Sequence, residues 1–260
     1  MIQALLPGTA VGVEAYEDTP RRLPAAEEAL MAGVSPGRRR EFTTVRHCAR
    51  QALRSLNARA GAVAPPYHAG APLPGARGTV PPPAAHQDEV PLLPDPDGVP
   101  RWPGGVVGSM THTRGYRAAA VARGVDVGWL GIDAEPDRPL REGVLETIST
   151  PGERGALPGS GADGVCWDRL LFCAKEAAYK AWFPHVRVRL GFPDVEVAFN
   201  GADRGFTASV RGERLRGRWG AERGLLVAVV AVPPQGVDRS CGPQTLARRL
   251  RAWSGPIGRS

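Results

Sequence analysis

Gly164–Phe183 reads GVCWDRLLFCAKEAAYKAWF. This is the strongest helix pattern in the chain, and Pro184 predicts its end. Four short apolar runs follow: DVEVAF, FTASV, LRGRWG and GLLVAVVAV, read as antiparallel strands. One strand, VGWLGIDAEP, precedes the helix and ends at Pro136. The same order appears earlier. PGRRREFTTVRHCARQALRSLNAR predicts a helix opened by Pro36, with Phe42, Val45, Ala49, Ala52, Leu53 and Leu56 as its apolar stripe. VVGSMTH and YRAAAVAR then read as two short strands, or as a strand and a helix start. Helix followed by strands, twice, predicts an α+β protein of two similar α/β halves joined near residues 124–130.

The expected division is residues 1–126, residues 127–232 and a basic tail from 233 to 260. Between about 61 and 100 the chain is dense in Pro, Gly and Ala, which reads as a long surface loop. GVLETISTPGERGAL reads as a helix broken at Pro151. The 260 residues suffice for a substantial core. The net charge of +7 suits polyanionic or phosphorylated ligands and acidic proteins. The four cysteines form no Cys-x-x-Cys pair and read as buried thiols in a reducing compartment. No apolar run approaches the roughly 18 residues of a membrane span, and no signal peptide is visible. The expectation is a cytoplasmic monomer with no membrane or nucleic-acid partner.

Lys and Arg total 33, yet only Lys175 and Lys180 are lysines, and they flank Glu176. Glu176 and Lys180 are i and i+4 on the predicted helix and share a face. In GIDAEP, Asp133 and Glu135 are i and i+2 on a strand and point the same way. Two close carboxylates repel unless a cation lies between them, and Mg²⁺, with its oxygen ligands, is the usual one. A solvent-facing acidic edge accounts for the pair equally well. Thr111 and His112 follow a glycine and carry phosphate-binding groups. Arg38 and Arg46 stand eight residues apart on the first helix, roughly 80° in azimuth, so both can reach one anion.

EFTTVRHCAR, WPGGVVGSMTHTRGYRAAAV, GIDAEP and WDRLLFCAKEAAYKAWFP together resemble the 4′-phosphopantetheinyl transferases, in particular the actinobacterial group that acts on acyl and peptidyl carrier proteins. The resemblance covers most of residues 36–230. It implies two halves related by a pseudo-twofold, with coenzyme A and Mg²⁺ in the cleft between them. It also implies transfer of the phosphopantetheinyl arm of coenzyme A to a serine of an apo carrier protein, releasing 3′,5′-adenosine diphosphate. Carried over, Asp133, Glu135 and Glu176 would hold Mg²⁺, and Glu176 would deprotonate the serine. Lys180 would stabilise or protonate the leaving phosphate, with Lys175 in support. Arg38 and Arg46 would hold the 3′-phosphate, and Thr111 and His112 would bind phosphate oxygens. The chain departs from the family pattern at Pro94, where a coenzyme A-contacting lysine is expected; Arg77 or Arg101 substitutes, or the contact is missing. Two other readings are a Mg²⁺-dependent nuclease and an inactive carrier-protein-binding relative.

Overall fold

The computed structural model describes residues 1–18, 21–62, 91–159, 164–200 and 203–234. Helix α1 (Ile2–Leu5) leads into strand β1 (Val11–Ala15), then α2 (Ala25–Ala29) and the long α3 (Pro36–Ala62). Strands β2 (Val106–Thr113) and β3 (Tyr116–Arg123) complete an antiparallel sheet in the order β1-β3-β2. The second half repeats this plan. Strand β4 (Trp129–Pro136) is followed by α4 (Val144–Ile148), α5 (Pro151–Ala156) and α6 (Trp167–Val186). Then come β5 (Val195–Asn200), β6 (Gly205–Val210), β7 (Glu213–Glu222) and β8 (Leu225–Val232). Their order is β4-β8-β7-β6-β5. In both halves a strand leads to a long helix, and the last strand returns beside the first. The α+β class with two similar halves is therefore present.

Alternation along three strands builds the core. On β3, Ala119 and Val121 face α3, while Tyr116, Ala118, Ala120 and Ala122 face the second half. On β8, Leu226, Ala228 and Val230 pack under α6, and Leu225, Val227 and Val229 meet β3. On β4, Leu130, Ile132 and Ala134 join that same central cluster. Residues 131, 133 and 135 of β4 therefore turn toward α6. Burying Leu170, Leu171 and Trp182 on the inner face of α6 contributes about 1.5–3 kcal/mol for each large side chain.

The inner edges of the two sheets, β2 and β4, do not pair by backbone. Instead Ser109 Oγ accepts the Ile132 amide at 3.1 Å and Thr111 Oγ1 accepts the Ala134 amide at 3.2 Å. Hydroxyl side chains thus replace a ladder at this seam. Helix α6 lies hard against β4 because Gly131 has no side chain: a Cβ there would sit 2.1 Å from the Ala177 carbonyl oxygen.

Several sequence expectations shift. YRAAAVAR is a strand throughout. Helix α6 continues two residues beyond Pro184; the proline forgoes its own backbone hydrogen bond without ending the helix. The stop is Arg187, in the left-handed conformation at φ 59°. The break expected at Pro151 is a new helix start, with Thr150 and Glu153 forming a capping box. Of the expected loop at 61–100, its start belongs to α3 and its end is packed, with Leu92 only 1% exposed. Residues 63–90 and the tail from 235 lie outside the described residues. Cys48 and Cys173 are buried, and Cys166 is half-buried at the start of α6.

Candidate active site

Helical and strand periodicity bring the second-half residues together. Arg169, Glu176 and Lys180 lie within roughly 40° of one another around α6, on the stripe that faces β4. Lys180 Nζ donates to Asp133 Oδ1 at 2.6 Å, and Thr111 Oγ1 donates to the same oxygen at 3.0 Å. Asp133 is 5% exposed, and its other oxygen, Oδ2, is buried with no hydrogen-bond partner among the described residues. Arg169 Nη1 donates to Glu135 Oε2 at 3.0 Å, and its remaining nitrogens bond the Arg138 and Pro139 carbonyls. Burial, together with the Asp133 charge, pushes the carboxyls of Glu135 and Glu176 above their ordinary values, against the pull of Arg169 and Lys180 respectively. Burial opposes charge on Lys180, but Asp133 and Glu176 outweigh it and raise the ammonium above its ordinary value. Lys180 therefore holds its proton firmly.

Lys175 is not at this site. One residue on a helix is a 100° turn, and the side chain is carried to the opposite flank of α6. There it is 1% exposed, bonded to Glu153 Oε2 at 2.9 Å and to the Phe192 carbonyl at 3.1 Å. Burial pulls its ammonium below the ordinary value despite Glu153.

Thr111 and His112 likewise part company, because successive strand residues face opposite sides. Thr111 gives its single proton to Asp133 at the seam. His112 turns toward the helix α3 side, against Arg38 and 3.8 Å from Glu41. Burial and the Arg38 charge lower its pKa, so it is neutral at neutral pH.

Between the halves runs a cleft of about 570 Å³. Arg38, Phe42 and Arg46 of α3, His112 of β2 and Lys180 of α6 line it. The turn at 97–100 and residues Phe183–Arg189 close its far end. Arg46 is 7% exposed, stacks on Phe42 at 4.3 Å, and donates to Met110 Sδ at 3.2 Å. Burial lowers its pKa to about 10, still well above neutrality. Arg101 is exposed and absent from the cleft wall, and Arg77 lies outside the described residues. Instead Arg187 and Arg189 line the wall, with Arg187 2.6 Å from Asp95.

The sequence reading missed Arg169 and the cleft-lining Arg187 and Arg189. Arg169 was available from spacing, seven residues before Glu176 on the same stripe. Among the described residues no three His, Cys, Asp or Glu side chains converge as a ready metal-ligand cluster. Asp133 and Glu135 are instead held by Lys180 and Arg169.

Two family models match the chain. The 4′-phosphopantetheinyl transferase superfamily matches residues 130–230, and the 4′-phosphopantetheinyl transferase N-terminal domain matches residues 26–77 and 84–122. The chain is 44% identical over 248 residues to the 4′-phosphopantetheinyl transferase Svp of Streptomyces mobaraensis, covering 89% of each. It is 39% identical over 251 residues to PptT of Mycobacterium tuberculosis, covering 89% of this chain and 98% of that protein. To Npt of Nocardia iowensis it is 42% identical over 203 residues, covering 76% and 77%. Both relatives are also named as 4′-phosphopantetheinyl transferases. The chain belongs to the 4′-phosphopantetheinyl transferase superfamily and is an enzyme of that class.

Proposed function

We propose that this enzyme moves the 4′-phosphopantetheinyl group of coenzyme A, with Mg²⁺, onto a serine of an apo acyl or peptidyl carrier protein, releasing 3′,5′-adenosine diphosphate. The observation that carries this reading is the placement of Lys180. It lines the basic cleft and at the same time bonds Asp133 of the carboxylate-bearing strand β4. A nucleotide with several phosphates suits the cleft's volume and its cations Arg38, Arg46 and Lys180.

The donor set fits Mg²⁺ in its chemistry: three carboxylates, one with an oxygen that has no partner among the described residues, two raised above their ordinary values by burial and by the Asp133 charge. Asp133, Glu135 and Glu176 would hold the ion, which when bound supplies positive charge to the pyrophosphate. Arg38 and Arg46 bind the adenosine 3′-phosphate. Neutral His112 donates one ring N–H to a phosphate oxygen. Glu176, its carboxyl raised toward neutrality, takes the serine proton. The serine oxygen bonds to the pantetheine-side phosphorus, the bond from that phosphorus to the bridging oxygen breaks, and its electrons leave on 3′,5′-adenosine diphosphate. Lys180 faces that leaving phosphate as a fixed positive charge. A phosphate monoester has a second pKa of about 6, so it departs without taking a proton from an ammonium held above its ordinary value. Thr111 supports Asp133 rather than phosphate. Carrier proteins of acidic surface suit the net charge of +7. The enzyme works as a cytoplasmic monomer.

Incubation with coenzyme A, Mg²⁺ and an apo carrier protein tests the reading. Gain of one phosphopantetheinyl mass on the carrier is expected, and an unchanged carrier mass overturns it.

A further inference from the structure

Beneath the cleft lies a group of charges that the transfer chemistry does not use. Glu27 of α2 is fully buried. Its Oε1 accepts the Leu92 amide at 2.6 Å, lies 2.5 Å from Arg50 Nη2, and lies 3.9 Å from Arg46 Nε. Among the described residues Oε2 has no hydrogen-bond partner, and neither do Arg46 Nε or Arg50 Nε. Arg46 and Arg50 are 7% and 4% exposed. Among the described residues, one carboxylate thus serves two buried guanidiniums and leaves one positive charge unbalanced. An unbalanced buried charge is costly, and proteins keep one where something else compensates it. Of the three side chains only Arg46 lines the cleft. There its Nη1 has the Met110 sulfur as partner, a weak acceptor.

We propose that Glu27 is a positioning residue for anion binding: from beneath the wall it aims Arg46 into the cleft, while Arg50 supplies the surplus charge that an adenosine 3′-phosphate balances. This rests on the coenzyme A reading above. Glu27 also holds Leu92, which precedes the 97–100 turn on the cleft's lip, so the same carboxylate registers the lip against the anion site. The aim of Arg46 is set by three fixed points: the Phe42 ring at 4.3 Å, the Met110 sulfur at 3.2 Å and Glu27 at 3.9 Å. Glu27 is the charged one of the three.

Two variants separate anchor from charge. Arg50→Met leaves a neutral Glu27–Arg46 pair. It should melt no lower than the parent enzyme, because it removes the unbalanced buried charge, yet bind 3′,5′-adenosine diphosphate about tenfold more weakly. Glu27→Gln combined with Arg50→Met keeps the net buried charge but frees Arg46. It should also lose about tenfold for 3′,5′-adenosine diphosphate. Titration calorimetry with 3′,5′-adenosine diphosphate and with 5′-adenosine monophosphate is the measurement. Losses confined to the ligand with the 3′-phosphate support the proposal. Unchanged binding of 3′,5′-adenosine diphosphate in folded Arg50→Met, or an equal loss for both nucleotides, overturns it. Arg50→Met alone decides the matter should the double variant not fold. Failure of the coenzyme A reading looks different: the parent enzyme itself would bind neither nucleotide.

Discussion

Lys180 is the residue whose role the geometry constrains most closely. Its ammonium is 2.6 Å from Asp133 Oδ1, and its side chain is about a third exposed, on the cleft side. Replacement by alanine removes the positive charge facing the leaving phosphate. Loss of one preorganised donor of this kind typically costs about 10²–10³ in turnover. It also leaves Asp133, 5% exposed, with only the Thr111 hydroxyl on Oδ1. Breaking a buried pair from one side costs about 3–5 kcal/mol, and partial exposure of this ammonium brings the expectation to about 1–3 kcal/mol. Arginine keeps the charge but cannot release a proton, since its pKa exceeds about 12. With the ammonium raised by Asp133 and Glu176, charge and not proton donation is the expected contribution. Turnover at saturating coenzyme A and Mg²⁺ should stay above a tenth of the parent rate for Lys180→Arg. For Lys180→Ala it should fall more than a hundredfold. Should Lys180→Arg prove as inactive as Lys180→Ala, while folded and with an unchanged KM for coenzyme A, Lys180 is a proton donor and the reasoning fails.

Lys175→Met should lower stability by about 3–5 kcal/mol, because Glu153 stays buried without its ammonium, while the folded fraction retains most of its turnover; a folded but inactive variant would return Lys175 to the chemistry. Gly131→Ala forces a Cβ to within 2.1 Å of the Ala177 carbonyl oxygen, so α6 must move off β4. A stability loss of about 1–3 kcal/mol and a larger fall in turnover are expected, read by thermal melting and rate. Glu176 must be ionised to accept a proton, and burial raises its carboxyl above 4.5. The acid limb of kcat/KM should therefore lie at higher pH than for an ordinary glutamate, activity rising with pH through it; an acid limb at or below the ordinary glutamate value would remove Glu176 as the base.

The strand and helix periods carried most of this architecture. Alternation on β4 turned Asp133 and Glu135 to one side, and i, i+4 spacing put Glu176 with Lys180. Both pairs could be read without knowing what they faced. Adjacent residues were harder. Lys175 beside Glu176, and Thr111 beside His112, are close in sequence but diverge by 100° on a helix and 180° on a strand. Their destinations depended on Glu153 and Asp133, partners 22 residues distant in each case. Glu27 and Arg50 gave no sequence signal, because burial of charge is a property of the packing above them and not of local pattern. Pro184 misled for a different reason: a proline inside a helix removes one backbone hydrogen bond, and the helix can continue past it where the surrounding packing holds it.

The hydroxyl seam also bears on how the chain must be made. An inner sheet edge is an open row of hydrogen-bonding groups, and such an edge recruits any strand it meets. Here β2 and β4 cap each other's edges through Ser109 and Thr111, and among the described residues the alanine face of β3 is covered by β4, β8 and α1. Either half alone would present an unsatisfied edge beside a largely uncovered apolar face. Residues 1–126 emerging first from a ribosome would carry both until β4 and β8 arrive. The two-part plan is thus a single cooperative unit in synthesis, and cutting the gene at the junction should yield aggregates instead of two working pieces.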